Sequence, residues 1–399
     1  MHVCFFNRSY WPDTGATGQL LTELAEDLVA HHGWEVTVIT GMPLRAGMVP
    51  ATQLRNGVRI IRASGTTLDP KRFTGRALNY LTYFATAFVA GLKIRPCDVC
   101  VAMTDPPIIG LAALAASRRS GGKFVFVSQD VFPEVATLIE DFHSPLVNRA
   151  LDRLNRHFLR AADRVVVLGD SMKRRLVDGK GADPRRMTVI HNWSDSSQLQ
   201  VEGNNEFARQ HGLAGHFVVM HAGNIGQSQN LDVVLDAAEL LRDEDRIRMV
   251  FVGDGTRRSA LEASASERGL KNVVFIPYQP RAEMSRSYAA ADIFLVSLRP
   301  GLSGFIVPSK VYSILAAGKP FIAAIEENSE AVEIARAHGC GVVVPTSDAQ
   351  ALADAIRTLA GNPARVAEMG RQALAASELF DRSRQIAVYA DVLSQVVSA

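Results

Sequence analysis

Cysteine is scarce in this 399-residue chain: Cys4, Cys97, Cys100 and Cys340 are too few and too unevenly spaced for a disulfide framework. Cys97 and Cys100 lie in PCDVCVAM, which reads as a strand, and all four are expected as reduced core residues. No second Cys or His pair follows at zinc spacing, so no structural metal site is expected. Long hydrophobic runs are missing too. ALNYLTYFATAFVAGL (77–92) stops at Lys93 and Arg95, short of the roughly 20 residues a spanning helix needs, and reads as a buried or membrane-touching helix. The start, MHVCFFNRSYW, meets Arg8 before an apolar stretch of signal-peptide length has formed, which predicts a cytoplasmic protein. There is no long polar or repetitive tract, and 47% hydrophobic against 21% charged residues implies that the whole chain folds.

The net charge of +2 conceals an imbalance. Residues 1–195 carry 24 Lys and Arg against 18 Asp and Glu, a net of +6, whereas 196–399 carry 19 against 23, a net of −4. The two halves therefore suit different partners. The clearest basic feature is NRALDRLNRHFLRAADR, where Arg149, Arg153, Arg156, Arg160 and Arg164 recur at steps of three or four along one helix face. A solvated helix explains such a stripe, and so does an anionic membrane surface. Nucleic acid is not expected, because no aromatic residue shares the arginine face and no reading motif surrounds it.

Apolar runs alternate with helical patterns from the start: HVCFFN, WEVTVIT, GVRIIRA, DVCVAM, KFVFVS and DRVVVLG are each separated by helix or loop. That alternation predicts a parallel sheet covered on both faces. MTVIHNWSD (187–195) ends the series, and the polar SSQLQVEGNN (196–205) reads as the linker. HFVVMHAG, IRMVFVGDG, NVVFIPY, ADIFLVSL, KPFIAA and CGVVVP form a second series of the same kind, followed by a helical tail from Asn362 to Ala399. The chain thus reads as α/β, with two Rossmann-like domains whose strand ends face one cleft. The expected divisions are 1–195, 196–378 and a returning helix over 379–399.

Several loops have the composition of anion sites. NRSYWPDTGATGQL after the first strand places Gly15 and Gly18 at a helix start, though not as a G-x-G-x-x-G fingerprint. HAGNIGQSQNL supplies Gly223 and Gly226, FVGDG supplies Gly253, and VPSKVYSILAAGKP places Pro308, Ser309 and Lys310 at the start of a short helix that Gly318 and Pro320 close. A cation in a first turn opposes the helix dipole by about 0.3–1 kcal/mol, a conflict that a bound diphosphate would remove.

These motifs, together with SQDVFPE (128–134) and VIHNWSD, resemble the retaining glycosyltransferases of family four, with the GT-B fold, and within them bacterial enzymes that add amino or deoxy sugars in O-antigen or capsule assembly. The resemblance implies a UDP-linked sugar donor, a lipid-diphosphate-linked saccharide acceptor, no metal or other cofactor, and a location on the inner face of the cytoplasmic membrane. It implies a nucleotide-sugar site of Gly15, Thr17, Gly18, Gly223, Asn224, Gly226, Gln229, Gly253, Tyr278, Arg299, Phe305, Ser309, Lys310 and Ser313. Lys310, Asp130 and Glu134 are the catalytic candidates. Arg8, Tyr10, Arg149, Arg153, Arg156 and Arg160 are the candidates for acceptor and membrane. The chain departs from the family's Glu-x7-Glu, with Phe305 and Ser313 at those positions, from its cations on the diphosphate loop, with Asn224 and Gln229, and from its first-domain His, with Gln129. A non-catalytic GT-B subunit and a nucleotide-sugar epimerase are the alternative readings.

Overall fold

In the computed structural model, which describes residues 1–13, 15–43, 49–68, 73–139, 144–195, 199 and 206–399, the two series of apolar runs form two separate sheets. The expected linker over 196–205 lies, apart from Leu199, outside the described residues. Compact packing divides the chain into a first unit of Met1–Thr137, His143–His191 and Ser383–Ala399 and a second of Leu138–Phe142 and Asn192–Arg382. The second unit thus begins at Asn192 rather than after Asp195, and the chain returns to the first at Ser383 rather than at 379. The tail is not one helix: Pro363–Ser377 and Arg382–Ser398 are joined by a 3-10 turn at Glu378–Phe380.

The first sheet contains β1 (His2–Phe6), β2 (Glu35–Thr40), β3 (Thr52–Arg55), β4 (Val58–Arg62), β5 (Val99–Ala102), β6 (Lys123–Ser128), β7 (Arg164–Val167) and β8 (Met187–Val189), in the order β3-β4-β2-β1-β5-β6-β7-β8. Its pairings are parallel except β3 with β4. β3 is absent from the expected strands because TQLR has little apolar content. It is placed by the turn that follows, where Asn56 and Gly57 take φ of 46° and 80°, the left-handed pair a two-residue hairpin requires. β1, buried at all five positions, lies between β2 and β5. The order of connection reverses at that point, so the loop after β1 opens at a switch point where ligands of such sheets bind.

The second sheet repeats the plan with β9 (Phe217–Ala222), β10 (Ile247–Val252), β11 (Val273–Ile276), β12 (Ile293–Ser297), β13 (Phe321–Ala324) and β14 (Gly341–Val344), ordered β11-β10-β9-β12-β13-β14. All its pairings are parallel. The switch point here is β9, so the Gly223–Gln229 loop opens where ligands of such sheets bind. Separate apolar clusters cover this sheet, one holding Met220, Val250, Phe294 and Tyr312, the other Val219, Phe251, Leu295 and Leu352. Burial of successive strand residues in different clusters is what alternation across a sheet requires. The four cysteines are buried and unbridged. No described helix is long and apolar enough to cross a membrane.

One internal ion cluster fixes three helices of the first unit. Lys180, 3% exposed at its side chain, reaches Glu134 Oε1 and Asp152 Oδ1, each at 2.6 Å. These residues belong to helices Asp170–Lys180, Glu134–Ile139 and Pro145–Ala161. Burial works against ionisation of Asp152, but hydrogen bonds from Lys180 and Arg156 hold its carboxyl below the usual range. Arg156 also donates to the carbonyls of Lys180 and Gly179 at 2.8 and 2.9 Å. Arg156 is thus a structural member of the basic stripe, not an open one, and Arg164 is not helical but begins β7. Arg149, Arg153 and Arg160 remain on the exposed face. Removing this cation leaves two carboxylates that still reach solvent, at a cost of about 1.5–3 kcal/mol. Lys180→Ala should therefore lower the denaturant midpoint strongly, and a midpoint equal to wild type would show the cluster to be idle.

Candidate active site

In the second unit two loops are pressed together so closely that glycine is obligatory. Gly223 and Gly253 take φ of 120° and 147°. A Cβ on Gly253 would lie 1.9 Å from Gly223 O, inside any permitted contact. The crossing is fastened by Gly223 N donating to Val252 O at 2.9 Å, Ile225 N to Asp254 O at 2.8 Å, and Gly253 N to Ile276 O at 3.0 Å. Gln229 closes the first loop from beneath, its Oε1 accepting from Gly226 N at 3.0 Å. The Asn224 side chain packs against Gly226 and Gly255. Gln229 and Asn224, expected as ligand contacts, therefore first serve to shape the loop.

Lys310 brings charge to this crossing. It is the first residue of helix Lys310–Ala316, and its Nζ lies 3.3 Å from Nδ1 and 3.1 Å from Nε2 of His221 in β9. A Cβ on Gly223 would stand 3.8 Å from Lys310 Cε. Nε2 of His221 also faces Asn224 O at 3.2 Å, and a carbonyl only accepts, so Nε2 carries the ring proton and Nδ1 is left to accept from the ammonium. Burial, then the nearby Lys310 charge, hold His221 well below the usual imidazole range, so the ring is neutral. Burial pushes Lys310 itself down to about 7. The asymmetry follows from charge: a neutral ring does not repel the ammonium, whereas the ammonium opposes protonation of the ring.

The neighbouring expectations are corrected in part. Ser309 precedes the helix without capping it through its side chain. Ser313 donates to Lys310 O at 3.2 Å and also bonds Tyr288, so its hydroxyl is engaged within the fold. Arg299 donates from Nη1 to Leu138 O at 3.1 Å and lines, with Gly226, Asn230, Asp232 and Arg257, a polar cavity of about 320 Å³. Tyr278 lies exposed beyond β11, and Phe305 is half-buried. Arg258 was not foreseen. Its Nη1 bonds Gly253 O at 2.5 Å and Ile276 O at 3.1 Å, holding the second loop.

In the first unit, the loop after β1 holds Arg8 to Asp105, with Nε 3.2 Å from Oδ1, while Ser9 Oγ donates to Oδ2 at 2.9 Å. The Arg8 guanidinium also lies over the Tyr80 ring at 5.2 Å. Tyr10 is 1% exposed, so it is a packing residue and not a surface contact for an acceptor. Gly15 is exposed at the N-cap of helix Ala16–His32, and Thr17 is half-buried in its first turn. A Cβ on buried Gly18 would meet the Ser9 and Tyr10 backbone at 3.4 Å, which makes it a close-packing position. Asp130 follows β6. Burial, and then the Asp105 charge, raise its carboxyl to about 6. Glu134 is the partner of Lys180 and belongs to the ion cluster instead. His221 and Asp105 were not identified from sequence. The one signal was the second His of HFVVMHAG, set among apolar residues, the other an acid in TDPP between a strand and a helix.

Comparison with known proteins gives a consistent set. The family described as glycosyl transferases group 1 matches residues 204–375, and the glycosyl transferase 4-like domain matches residues 15–193. The chain is 30% identical over 380 residues to the putative colanic acid biosynthesis glycosyl transferase WcaI of Escherichia coli, covering 90% of this chain and 91% of that one. It is 31% identical over 277 residues to the probable glycosyltransferase WbjE of Pseudomonas aeruginosa, covering 67% and 68%. The structure of Anabaena HepE in complex with UDP-glucose superposes with a TM-score of 0.76 at 18% identity, over 99% of this chain and 100% of that one.

The Lys310 environment yields a direct measurement. In reductively methylated protein, carbon NMR should show a lysine titrating near pH 7 that Lys310→Met lacks. Inorganic pyrophosphate should move that titration upward, because a nearby anion favours the ammonium. Titration in the ordinary lysine range would show that the ammonium is not desolvated.

Proposed function

The chain belongs to the group 1 glycosyltransferases, with a family-four-like first domain and the GT-B fold, and we propose that it moves a sugar from a UDP-linked donor with retention of configuration. The acceptor in this reading is a lipid-linked saccharide at the inner face of the cytoplasmic membrane, in bacterial surface polysaccharide synthesis. The names of WcaI and the UDP-glucose complex of HepE support the pathway class and the donor class. The basic first half, with Arg149, Arg153 and Arg160 exposed, supports an anionic surface nearby.

The observation that carries the reading is the Lys310 ammonium at the Gly223–Gly253 crossing. When the bond from the sugar's anomeric carbon to the diphosphate oxygen breaks, negative charge grows on the leaving group. A cation already in place stabilises that charge more than it stabilises the ground state. Lys310 then supplies the charge neutralisation for which other transferases use a metal. On the acceptor side, Asp130 is the residue fitted to take or orient the hydroxyl proton, since its carboxyl titrates near the working pH. Phe305 replaces a carboxylate that would bind sugar hydroxyls, which favours a deoxy N-acetylamino sugar over glucose.

Transfer should be measured with UDP-linked donors and a lipid-linked acceptor, reading the anomeric configuration of the product by NMR. Lys310→Ala should abolish transfer in a folded protein, and near-normal turnover would remove the assignment. A UDP-linked deoxy N-acetylamino sugar should give a higher kcat/KM than UDP-glucose, with Phe305→Glu narrowing the ratio. An unchanged ratio would return Phe305 to a packing role.

The pH dependence follows from two groups. Asp130 must be ionised, so kcat/KM should fall as pH drops below about 6. Lys310 must be charged, so kcat/KM should also fall above about 7. In kcat the basic limb should lie higher, because the bound diphosphate keeps Lys310 protonated. A pH-independent kcat/KM between 5 and 9 would contradict both roles.

A further inference from the structure

Nothing described above uses the outer face of helix Phe73–Leu92. Leu78, Leu81 and Val89 are 44%, 56% and 52% exposed, and Ala85 is exposed between them. Steps of three and four place these residues on one face, over a rise of about 17 Å. No charged residue occurs from Ala77 to Leu92. Single exposed apolar residues are ordinary, but an aligned row is an interaction face.

The C-terminal end of the row is cationic. Beside the helix runs a groove of about 380 Å³ whose walls include Arg59, Ile61, Val89, Lys93, Ile94 and Arg95. Glu35 is the one carboxylate lining it among the described residues. Arg95 Nη2 donates to Arg119 O, and Arg119 Nε donates to Leu92 O at 3.3 Å, which brings a further guanidinium to the same helix end. An apolar row lying beside a cationic groove is the arrangement of a helix that rests in a bilayer interface. A second copy of the chain is a poor occupant, because helix Phe73–Leu92 carries no Asp or Glu, so an isologous contact along it would offer the cations no helix carboxylate.

We propose that helix Phe73–Leu92 and its groove lay the first unit on an anionic bilayer. Leu78, Leu81, Ala85 and Val89 enter the acyl boundary, and Arg59, Lys93 and Arg95 take lipid phosphates. The inference rests on the membrane part of the proposed function and names a different surface from the arginine stripe of helix Pro145–Ala161.

Co-sedimentation of the full chain with phosphatidylcholine vesicles, with and without phosphatidylglycerol, tests it. Wild type should bind the anionic vesicles, and each cation removed should weaken binding about fivefold, so Lys93→Glu with Arg95→Glu should weaken it beyond about 25-fold. Leu81→Glu should also weaken binding, whereas Leu81→Trp should keep it and show a blue-shifted emission on vesicles. Thermal unfolding of each variant should match wild type, since these side chains are exposed. Wild-type sedimentation of Leu81→Glu, or a dimer in solution that Leu81→Glu splits, would overturn the proposal. If reversing Arg149, Arg153 and Arg160 abolishes binding while the Leu81 and Lys93 variants retain it, the membrane reading stands and this surface is refuted. If wild type binds neither vesicle, both are refuted.

Discussion

The Lys310 ammonium rests against a neutral imidazole, and much of the second unit is arranged around that contact. A buried lysine beside a carboxylate would keep its charge at all ordinary pH, but it would also have a partner that competes with any incoming anion. Against His221 it keeps its position without that competition, at the cost of a titration point near 7. The carbonyl of Asn224, 3.2 Å from Nε2, favours the tautomer protonated there, which leaves the Nδ1 lone pair to face the ammonium. Asn224 stands in turn on the loop that crosses Gly253. The glycine crossing, the loop carbonyl, the ring and the ammonium therefore form one chain of dependence, starting from strand ends at the switch point of the sheet.

This chain of dependence also accounts for the neutral residues at positions where relatives of the resembled family carry cations. Gln229 accepts from Gly226 N through its side chain, a bond that a lysine or arginine has no acceptor to make. Neutral polar side chains therefore fit a loop that must close on itself, and they leave the charge to Lys310. Arg258 supplies a second cation nearby, but it is directed at the carbonyls of Gly253 and Ile276 and so supports the loop rather than presenting charge to a ligand.

How much of this was legible in the sequence depended on whether the signal was local. Thirteen of the fourteen strands among the described residues were visible as apolar runs, because a parallel strand buried on both faces must be apolar throughout. β3 failed that test because an edge strand in a hairpin needs only a turn and a neighbour. Lys310 was legible because a cation at a helix start conflicts with local electrostatics. His221 was not, since its importance depends on a residue 89 positions away. The pairing of Glu134 was hidden for the same reason: the motif SQDVFPE shows an acid near a strand end, and the lysine that pairs with it is in another helix. Tyr10 had the residue type of an acceptor contact, and only packing reveals that it is buried.

Charge totals were informative about the halves and uninformative about surfaces. The arginine stripe was recognisable from its spacing, yet one of its members is tied to Asp152 and two carbonyls, and another begins a strand. In helix Phe73–Leu92 the uncharged run from Ala77 to Leu92 suggested burial or membrane contact, and a row of its apolar side chains is exposed. An apolar helix beside a sheet needs only part of its circumference for the core, about 100° or somewhat more. What covers the remaining face is then decided by the chemistry at its borders. Here those borders carry Arg59, Lys93 and Arg95 against Glu35, so the helix presents its apolar row next to a cationic groove.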